Sequence, residues 1–180
     1  TENEIHAQAG ALLSMIANRA MEAELTGFEF AAGIPGTLGG ACVMNAGAYG
    51  GEMKEVLETV TVLTRDGDVK TLTKDELELG YRTSVIAKKD YIVLSAVIRL
   101  ENGKKEEIKA VMDDLKEKRI TKQPLEYPSA GSTFKRPEGY FAGKLIQDAG
   151  LRGFQVGGAQ VSEKHCGFVV NKDQATAADV

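Results

Sequence analysis

Seven of the chain's 20 glycines fall within residues 33–51, in the run GIPGTLGGACVMNAGAYGG. Glycine at this density lets the backbone adopt left-handed conformations and lets a bulky group come close to the main chain. Glycines placed before a short helical stretch also expose N–H groups of a first helical turn, which favour negative charge. We therefore interpret this glycine segment as a binding site for a diphosphate. The alternative is a glycine-rich turn that packs two elements tightly.

The spacing of the glycines argues against two common nucleotide motifs. The segment follows neither the GxGxxG pattern after a strand nor the GxxxxGK[ST] pattern. The nicotinamide Rossmann and P-loop interpretations therefore have no specific support.

Around this segment, helix and strand patterns alternate without an internal repeat. Apolar residues three and four apart predict a helix over residues 5–25, closed by Gly27. Asp66-Gly67 predicts a hairpin between strands at 58–65 and 68–73. Thr73 and Glu76 form a capping box, which predicts a short helix ending near Gly80. The mostly apolar run at 91–100 predicts a buried strand.

The second part of the chain begins with a charged helix predicted over residues 104–120, with Ile108, Val111, Met112 and Leu115 on one face. A loop rich in proline, serine and glycine follows. A helix is predicted at 140–149, and strands are predicted near 154–156, 159–161 and 168–170. These patterns predict an α+β fold with a domain boundary near residues 101–104, giving domains 1–102 and 103–180.

Composition narrows the classes of function. Lys and Arg number 22 against 26 Asp and Glu, a formal net charge of −4 without long like-charged blocks, so nucleic-acid binding is not expected. No apolar stretch approaches the length of a membrane helix, and no signal-peptide pattern is present. Cys42 and Cys166 lack metal-ligand spacing, which favours buried thiols in a reducing compartment and argues against a disulfide framework or a metal site. We interpret His6 and His165 as structural histidines.

Five ordered motifs resemble those of the UDP-N-acetylenolpyruvoylglucosamine reductase family. They are the glycine segment, GYRTS at 80–84, QPLEYPSAGSTFKRP at 123–137, GKLIQDAGLRG at 143–153 and KHCGFVVNK at 164–172. The resemblance implies part of an FAD-binding α+β domain followed by a smaller α/β substrate-binding domain. It also implies a cytoplasmic enzyme in which NADPH reduces FAD and the flavin reduces an enolpyruvyl ether, yielding UDP-N-acetylmuramate for peptidoglycan synthesis.

The same resemblance assigns roles to individual residues. Ser132 corresponds to the proton donor, and Arg82 to the arginine that binds the substrate carboxylate and stabilises the enolate. Tyr81 corresponds to a residue beside the substrate. The cations expected at the UDP diphosphate are Arg119, Lys135 and Arg136. The residues expected to contact FAD are Gly33, Ile34, Pro35, Gly36, Thr37, Gly39, Gly40, Asn45, Ala46 and Gly47.

The resemblance also implies parts that these 180 residues do not contain, namely an N-terminal subdomain with a further glycine-rich loop and a C-terminal catalytic glutamate. We therefore expect the chain to be a fragment, truncated at both ends. The expected partner is a nucleotide-sugar substrate, with no nucleic acid, membrane or obligate protein partner. Two alternatives stay open: a non-catalytic nucleotide-sugar-binding fragment, and another FAD-linked oxidoreductase on a related scaffold.

Overall fold

A computed structural model describes residues 3–180, which divide into two compact units, one ending at Lys116 and the other spanning Glu117–Val180. The described strands are β1 (Glu4–Gln8), β2 (Leu25–Thr26), β3 (Gly47–Ala48), β4 (Gly51–Glu52), β5 (Leu57–Leu63), β6 (Val69–Thr73), β7 (Ile92–Arg99), β8 (Glu101–Asn102), β9 (Ser129–Ser132), β10 (Gln155–Val156), β11 (Ala159–Val161) and β12 (Phe168–Asn171). The described α-helices are α1 (Leu13–Glu22), α2 (Leu38–Val43), α3 (Met53–Val56), α4 (Val85–Lys88), α5 (Lys105–Lys122) and α6 (Ala142–Asp148), and a 3₁₀ turn lies at Glu29–Ala31. The mixture of helix and strand confirms the predicted fold class.

The first unit is built on a four-stranded antiparallel sheet in the order β1-β7-β5-β6. The predicted hairpin is confirmed as β5 and β6, and Gly67 at its turn has a positive φ of +90°. The strand predicted at 91–100 is confirmed as β7. Alternate side chains of β5 and β7 enter an apolar core shared with the buried faces of α1 and α2.

The helix predicted over residues 5–25 is wrong in its first part. Residues 4–8 form β1, which pairs with β7 in a register that places Ile5 opposite Ile98. The helix begins only at Leu13 and ends at Glu22, and Gly27 does not cap it. Pairing with β7 outweighs the apolar spacing of these residues because it satisfies their backbone groups and half-buries Ile5 and Ala7.

The short helix predicted after Thr73 is also wrong, although its capping contact is present. The backbone N–H and the hydroxyl of Thr73 both donate to Glu76 Oε2 at 2.8 Å. Beyond them the chain forms turns, and Glu78 has a φ of 45°, in the left-handed region where a right-handed helix cannot continue.

The second unit is built on a smaller antiparallel sheet in the order β10-β11-β12-β9. The predicted helix near 140–149 and three predicted strands are confirmed as α6, β10, β11 and β12. The sequence pattern missed β9, which lies inside the predicted loop and pairs with β12.

The helix predicted at 104–120 is confirmed as α5, and the division between the two units falls inside it. Its beginning belongs with the first unit because Ile108 is buried and Met112 packs against that unit's core. The predicted domain boundary near residues 101–104 therefore lies before the point where the compact units divide. The predicted apolar face is narrower than expected, since Val111 is 47% exposed.

Within residues 3–180, no helix is long and apolar enough to cross a membrane.

Candidate active site

The inner side of the glycine segment packs against the chain that precedes α1. The N–H of Leu38 donates to the carbonyl of Ala11 at 2.8 Å, and the N–H of Gly39 donates to the carbonyl of Ala9 at 2.9 Å. A Cβ on Gly39 would lie 3.0 Å from Ala9 Cβ, so glycine is needed for this close approach. These two amides of the first turn of α2 are therefore committed to the protein's own carbonyls.

The outer side of the same segment is open. Gly33, Pro35, Gly36 and Gly40 are exposed. A Cβ built on Gly36 meets no atom within 4 Å, and the nearest atom to one on Gly40 is Thr37 Oγ1 at 3.9 Å. The open space at Gly36 and Gly40 fits the close approach of a bulky group such as a dinucleotide cofactor.

Asn45 is buried inside the segment, with 0% of its surface exposed and a left-handed φ of 44°. Its Nδ2 donates to Glu52 Oε2 and to the carbonyl of Gly80, both at 3.0 Å. Its Oδ1 accepts from the N–H of Lys54 at 2.9 Å. The side chain that the resemblance placed among the FAD contacts is thus fully engaged by three other parts of the first unit.

Ala46 and Gly47 lie in the tight hairpin formed by β3 and β4. Ala46 is buried, its N–H donates to the carbonyl of Ala41, and its carbonyl accepts from the N–H of Met53, both at 2.9 Å. A Cβ on Gly47 would fall 2.6 Å from the Gly51 carbonyl oxygen, which leaves no space for a side chain. Both positions are required by the hairpin itself.

Arg82 lies in the GYRTS loop (residues 80–84) and reaches back to the glycine segment. Its Nη1 donates to the carbonyl of Asn45 at 3.2 Å, and its Nη2 donates to the carbonyl of Gly47 at 2.8 Å. Its guanidinium carbon lies 5.2 Å from the centre of the Tyr81 ring. The backbone of Arg82 has a left-handed φ of 54°. This conformation is strained for residues other than glycine, and such strain is common at functional sites.

Ser84 was missed by the sequence analysis. It is fully buried, its hydroxyl donates to the carbonyl of Val43 at 2.6 Å, and the same oxygen accepts from the N–H of Ala87 at 3.2 Å as the cap of α4. The position of serine before an apolar helical turn was the available signal. Together with the bonds of Asn45 and Arg82, this contact fixes the GYRTS loop to residues 43–47.

Ser132 ends β9 in the second unit. It pairs with Phe168 of β12, and the following N–H, of Thr133, donates to the carbonyl of Gly167 at 2.8 Å. The Ser132 side chain is exposed, and within residues 3–180 no hydrogen bond engages its hydroxyl. Gly131 has a φ of +84°, and Phe134 is 60% exposed, so the local surroundings do not exclude water.

The three predicted diphosphate cations lie in this second unit, on helix α5 and on the chain after β9. Arg119 Nη1 donates to Gln123 Oε1 at 3.2 Å, and Lys135 is exposed. Arg136 Nε donates to the carbonyl of Tyr140 at 3.3 Å, and its guanidinium lies 4.0 Å from the centre of the Phe141 ring. Lys135 and Arg136 are exposed, whereas Arg119 is half-buried.

A cavity of about 350 Å³ in the second unit was not anticipated from the sequence. Its lining includes Tyr127, Gln160, Lys164 and Lys172. Lys172 Nζ donates to Gln160 Oε1 at 3.0 Å and lies 5.3 Å from the centre of the Tyr127 ring. Hydrogen bonds and ion pairs within the protein engage most of the polar side chains that line this cavity.

The histidines and cysteines have local roles. His165 Nδ1 accepts from the N–H of Gly167 at 3.1 Å, and its ring meets the Phe168 ring edge-on at 4.9 Å. His6 lies 3.4 Å from Glu4. Cys42 and Cys166 are buried thiols, and burial raises the pKa of Cys42 to about 12, so this thiol stays protonated at neutral pH.

Two family descriptions match the chain. Residues 1–73 match the family described as "FAD binding domain", and residues 123–180 match "UDP-N-acetylenolpyruvoylglucosamine reductase, C-terminal domain". The glycine segment lies within the first match and Ser132 within the second.

Curated relatives and a solved structure agree with these matches. The chain is 68% identical to a UDP-N-acetylenolpyruvoylglucosamine reductase of Agathobacter rectalis over 98% of its length, and 61% identical to one of Clostridium perfringens over 99%. The crystal structure of the Thermus caldophilus UDP-N-acetylenolpyruvylglucosamine reductase covers 97% of the chain with a TM-score of 0.88 and 39% identity. The chain therefore belongs to the UDP-N-acetylenolpyruvoylglucosamine reductase family.

The chain spans only part of these relatives. It covers 56% and 59% of the two curated relatives and 64% of the crystallised chain.

Proposed function

We propose that this chain is the part of an FAD-dependent reductase that converts UDP-N-acetylenolpyruvoylglucosamine to UDP-N-acetylmuramate, with NADPH as electron donor. The observation that carries the proposal is the pair of hydrogen bonds from Arg82 to the carbonyls of Asn45 and Gly47. They hold a cation suited to a carboxylate against the segment proposed to bind the cofactor. The reaction would serve peptidoglycan precursor synthesis in the cytoplasm.

The cofactor contacts are assigned to the open side of the glycine segment. Gly33, Pro35, Gly36 and Gly40 supply an exposed surface, and the open space at Gly36 and Gly40 leaves room for a diphosphate. These residues would hold FAD, whose chemistry would be hydride transfer to the substrate, with NADPH as the donor that reduces the flavin again.

Arg82 acts on the substrate carboxylate. Hydride addition to the methylene carbon of the enolpyruvyl group makes it a methyl group and pushes an electron pair onto the neighbouring carbon and its carboxylate. A guanidinium stays charged at any working pH and has more N–H donors than its two main-chain bonds use, so it can stabilise that charge. Tyr81, which lies beside the guanidinium, is assigned to the same part of the substrate.

Ser132 is assigned the proton that completes the reaction. Its hydroxyl transfers a proton to the carbon that carries the carboxylate, which gives the lactyl ether. The resulting serine alkoxide regains a proton from solvent. Because the Ser132 side chain is exposed, bound substrate must provide part of the enclosure that proton transfer requires. Arg119, Lys135 and Arg136 are assigned to the UDP diphosphate as positive charges.

The test uses the full-length gene product that contains this chain. The purified protein should be yellow, NADPH should bleach the flavin, and steady-state NADPH oxidation should require the enolpyruvyl substrate and yield UDP-N-acetylmuramate by mass spectrometry. A colourless protein that binds the UDP-sugar would favour the non-catalytic alternative. A yellow protein reoxidised by other acceptors and not by this substrate would favour another flavin oxidoreductase.

A further inference from the structure

We infer that Asn45 is a positioning residue for Arg82 and not a ligand of the flavin. The inference rests on the proposed function for its kinetic consequence, whereas its structural part stands on contacts within the first unit. It assigns a different role to a side chain that the family resemblance places among the cofactor contacts.

The first step is that the amide of Asn45 has no N–H donor left for a cofactor. Both of its N–H donors are used, on Glu52 Oε2 and on the Gly80 carbonyl, and its oxygen accepts from Lys54. The residue has 0% of its surface exposed. Contact with a bound flavin would require breaking one of these buried bonds, which is costly.

The second step is that Asn45 is hydrogen-bonded to the GYRTS loop on both sides of Tyr81. The side chain of Asn45 bonds the carbonyl of Gly80, and the carbonyl of Asn45 accepts from the guanidinium of Arg82. One residue therefore fixes both the backbone ahead of Arg82 and the end of its side chain.

The third step is conformational. Asn45 and Arg82 both have left-handed φ values, of 44° and 54°. Asparagine accepts this region more readily than most residues, whereas arginine is held there only by its surroundings. The buried amide bonds of Asn45 are well placed to hold that strained arrangement, which presents the guanidinium in a fixed orientation.

The test replaces Asn45 by aspartate, which has nearly the same shape but cannot donate from its carboxylate. The new carboxylate faces Glu52 and the Gly80 carbonyl, so both bonds are lost. We expect flavin content to remain that of wild type and flavin reduction by NADPH to stay within about threefold. Reoxidation by UDP-N-acetylenolpyruvoylglucosamine should slow by about 10- to 100-fold. Asn18→Asp, on the exposed face of α1, is the matched control and should behave as wild type.

A compensating change tests the contact itself. In Asn45→Asp combined with Glu52→Gln, the glutamine amide can donate to the aspartate, which restores one bond with its direction reversed. Reoxidation in the double variant should be at least about threefold faster than in Asn45→Asp alone. If Asn45→Asp does not fold, Asn45→Gly keeps the left-handed backbone without the amide, and the same split between half-reactions is expected.

A second readout does not depend on catalysis. Hydrogen exchange by mass spectrometry should show faster exchange across residues 80–84 in Asn45→Asp or Asn45→Gly, with residues 33–40 unchanged. Loss of flavin from folded variants, equal loss in both half-reactions, or unchanged exchange and reoxidation would each overturn the inference. Failure of the proposed function is distinguishable, because reduced wild-type protein would then not be reoxidised by the substrate while the exchange result would still report the contact.

Discussion

The two regions that carry the candidate site differ in how firmly their functional side chains are held. In the first unit, Asn45, Arg82 and Ser84 all hydrogen-bond main-chain carbonyls, and Asn45 and Ser84 are fully buried. In the second unit, Ser132 and Lys135 lie on the surface, and Phe134 and Phe141 are 60% and 62% exposed. The arginine is fixed before substrate binds, whereas the serine depends on what covers it.

Because of this difference, substitutions in the two units should have different effects on stability and on reaction rate. A change among the bonded groups of the first unit disturbs stability and geometry together, because it leaves a buried partner without its hydrogen bond. A change at the exposed serine removes the proposed proton donor and should leave folding almost untouched. The predictions below test that contrast.

The largest effect is expected on the open side of the glycine segment. Gly36→Asp places a carboxylate where the diphosphate is proposed to lie, so the folded protein should retain little or no flavin. Flavin absorbance per protein after gel filtration measures this. Gly10→Asp is the control, because Gly10 is exposed with nothing within 4 Å of a built Cβ, and it should keep its flavin. Full flavin in Gly36→Asp would contradict the assignment.

The next effect concerns the exposed serine. Ser132→Ala should leave flavin reduction by NADPH and the melting temperature unchanged, and should slow reoxidation by about 10²- to 10⁴-fold, as for a lost general acid. Ser132→Cys should recover part of the rate, since a thiol can donate a proton from nearly the same position. Stopped-flow flavin absorbance separates the two steps. Ser129→Ala, at the start of β9, is the control, and a rate for Ser132→Ala within about threefold of it would remove Ser132 from the mechanism.

A smaller rate effect is expected for Arg82→Lys. The ammonium keeps the charge but lacks the planar fork with which a guanidinium can hold a carboxylate through two N–H groups, so reoxidation should fall by about 10- to 100-fold while flavin reduction is preserved. The same stopped-flow experiment applies, with Arg19→Lys on α1 as the control. Equal losses in both half-reactions would argue against a role at the substrate carboxylate.

The smallest effect is a loss of stability. Ser84→Ala removes the bond to Val43 and the cap of α4, which should cost about 1–2 kcal/mol of unfolding free energy. Thermal or urea unfolding measures it, with Ser14→Ala, exposed on α1, as the control. A melting temperature equal to wild type would show that the GYRTS loop is not held by this contact.

Local patterns predicted much of the fold. The Asp66-Gly67 hairpin, β7 and the charged helix α5 were all predicted, because turn chemistry and apolar periodicity act within a few residues. The errors lie where pairing distant in sequence decides the outcome. β1 and β9 are short, and each becomes a strand because β7 or β12 offers it an edge.

The sequence motifs gave a set of candidate site residues but not the contacts between them. The motifs identified Asn45 and Arg82 together, yet only the structure reveals that each bonds main-chain groups of the other's segment. Ser84 escaped notice because a single serine carries no pattern, although its burial makes it part of the same contact.

The most direct test of the whole account is a single turnover of the second half-reaction. Full-length protein is reduced with one equivalent of NADPH in the absence of oxygen and mixed with UDP-N-acetylenolpyruvoylglucosamine while flavin absorbance is followed. We expect complete return of the oxidised flavin spectrum, with one UDP-N-acetylmuramate formed per flavin. Flavin that stays reduced in the presence of saturating substrate would contradict it.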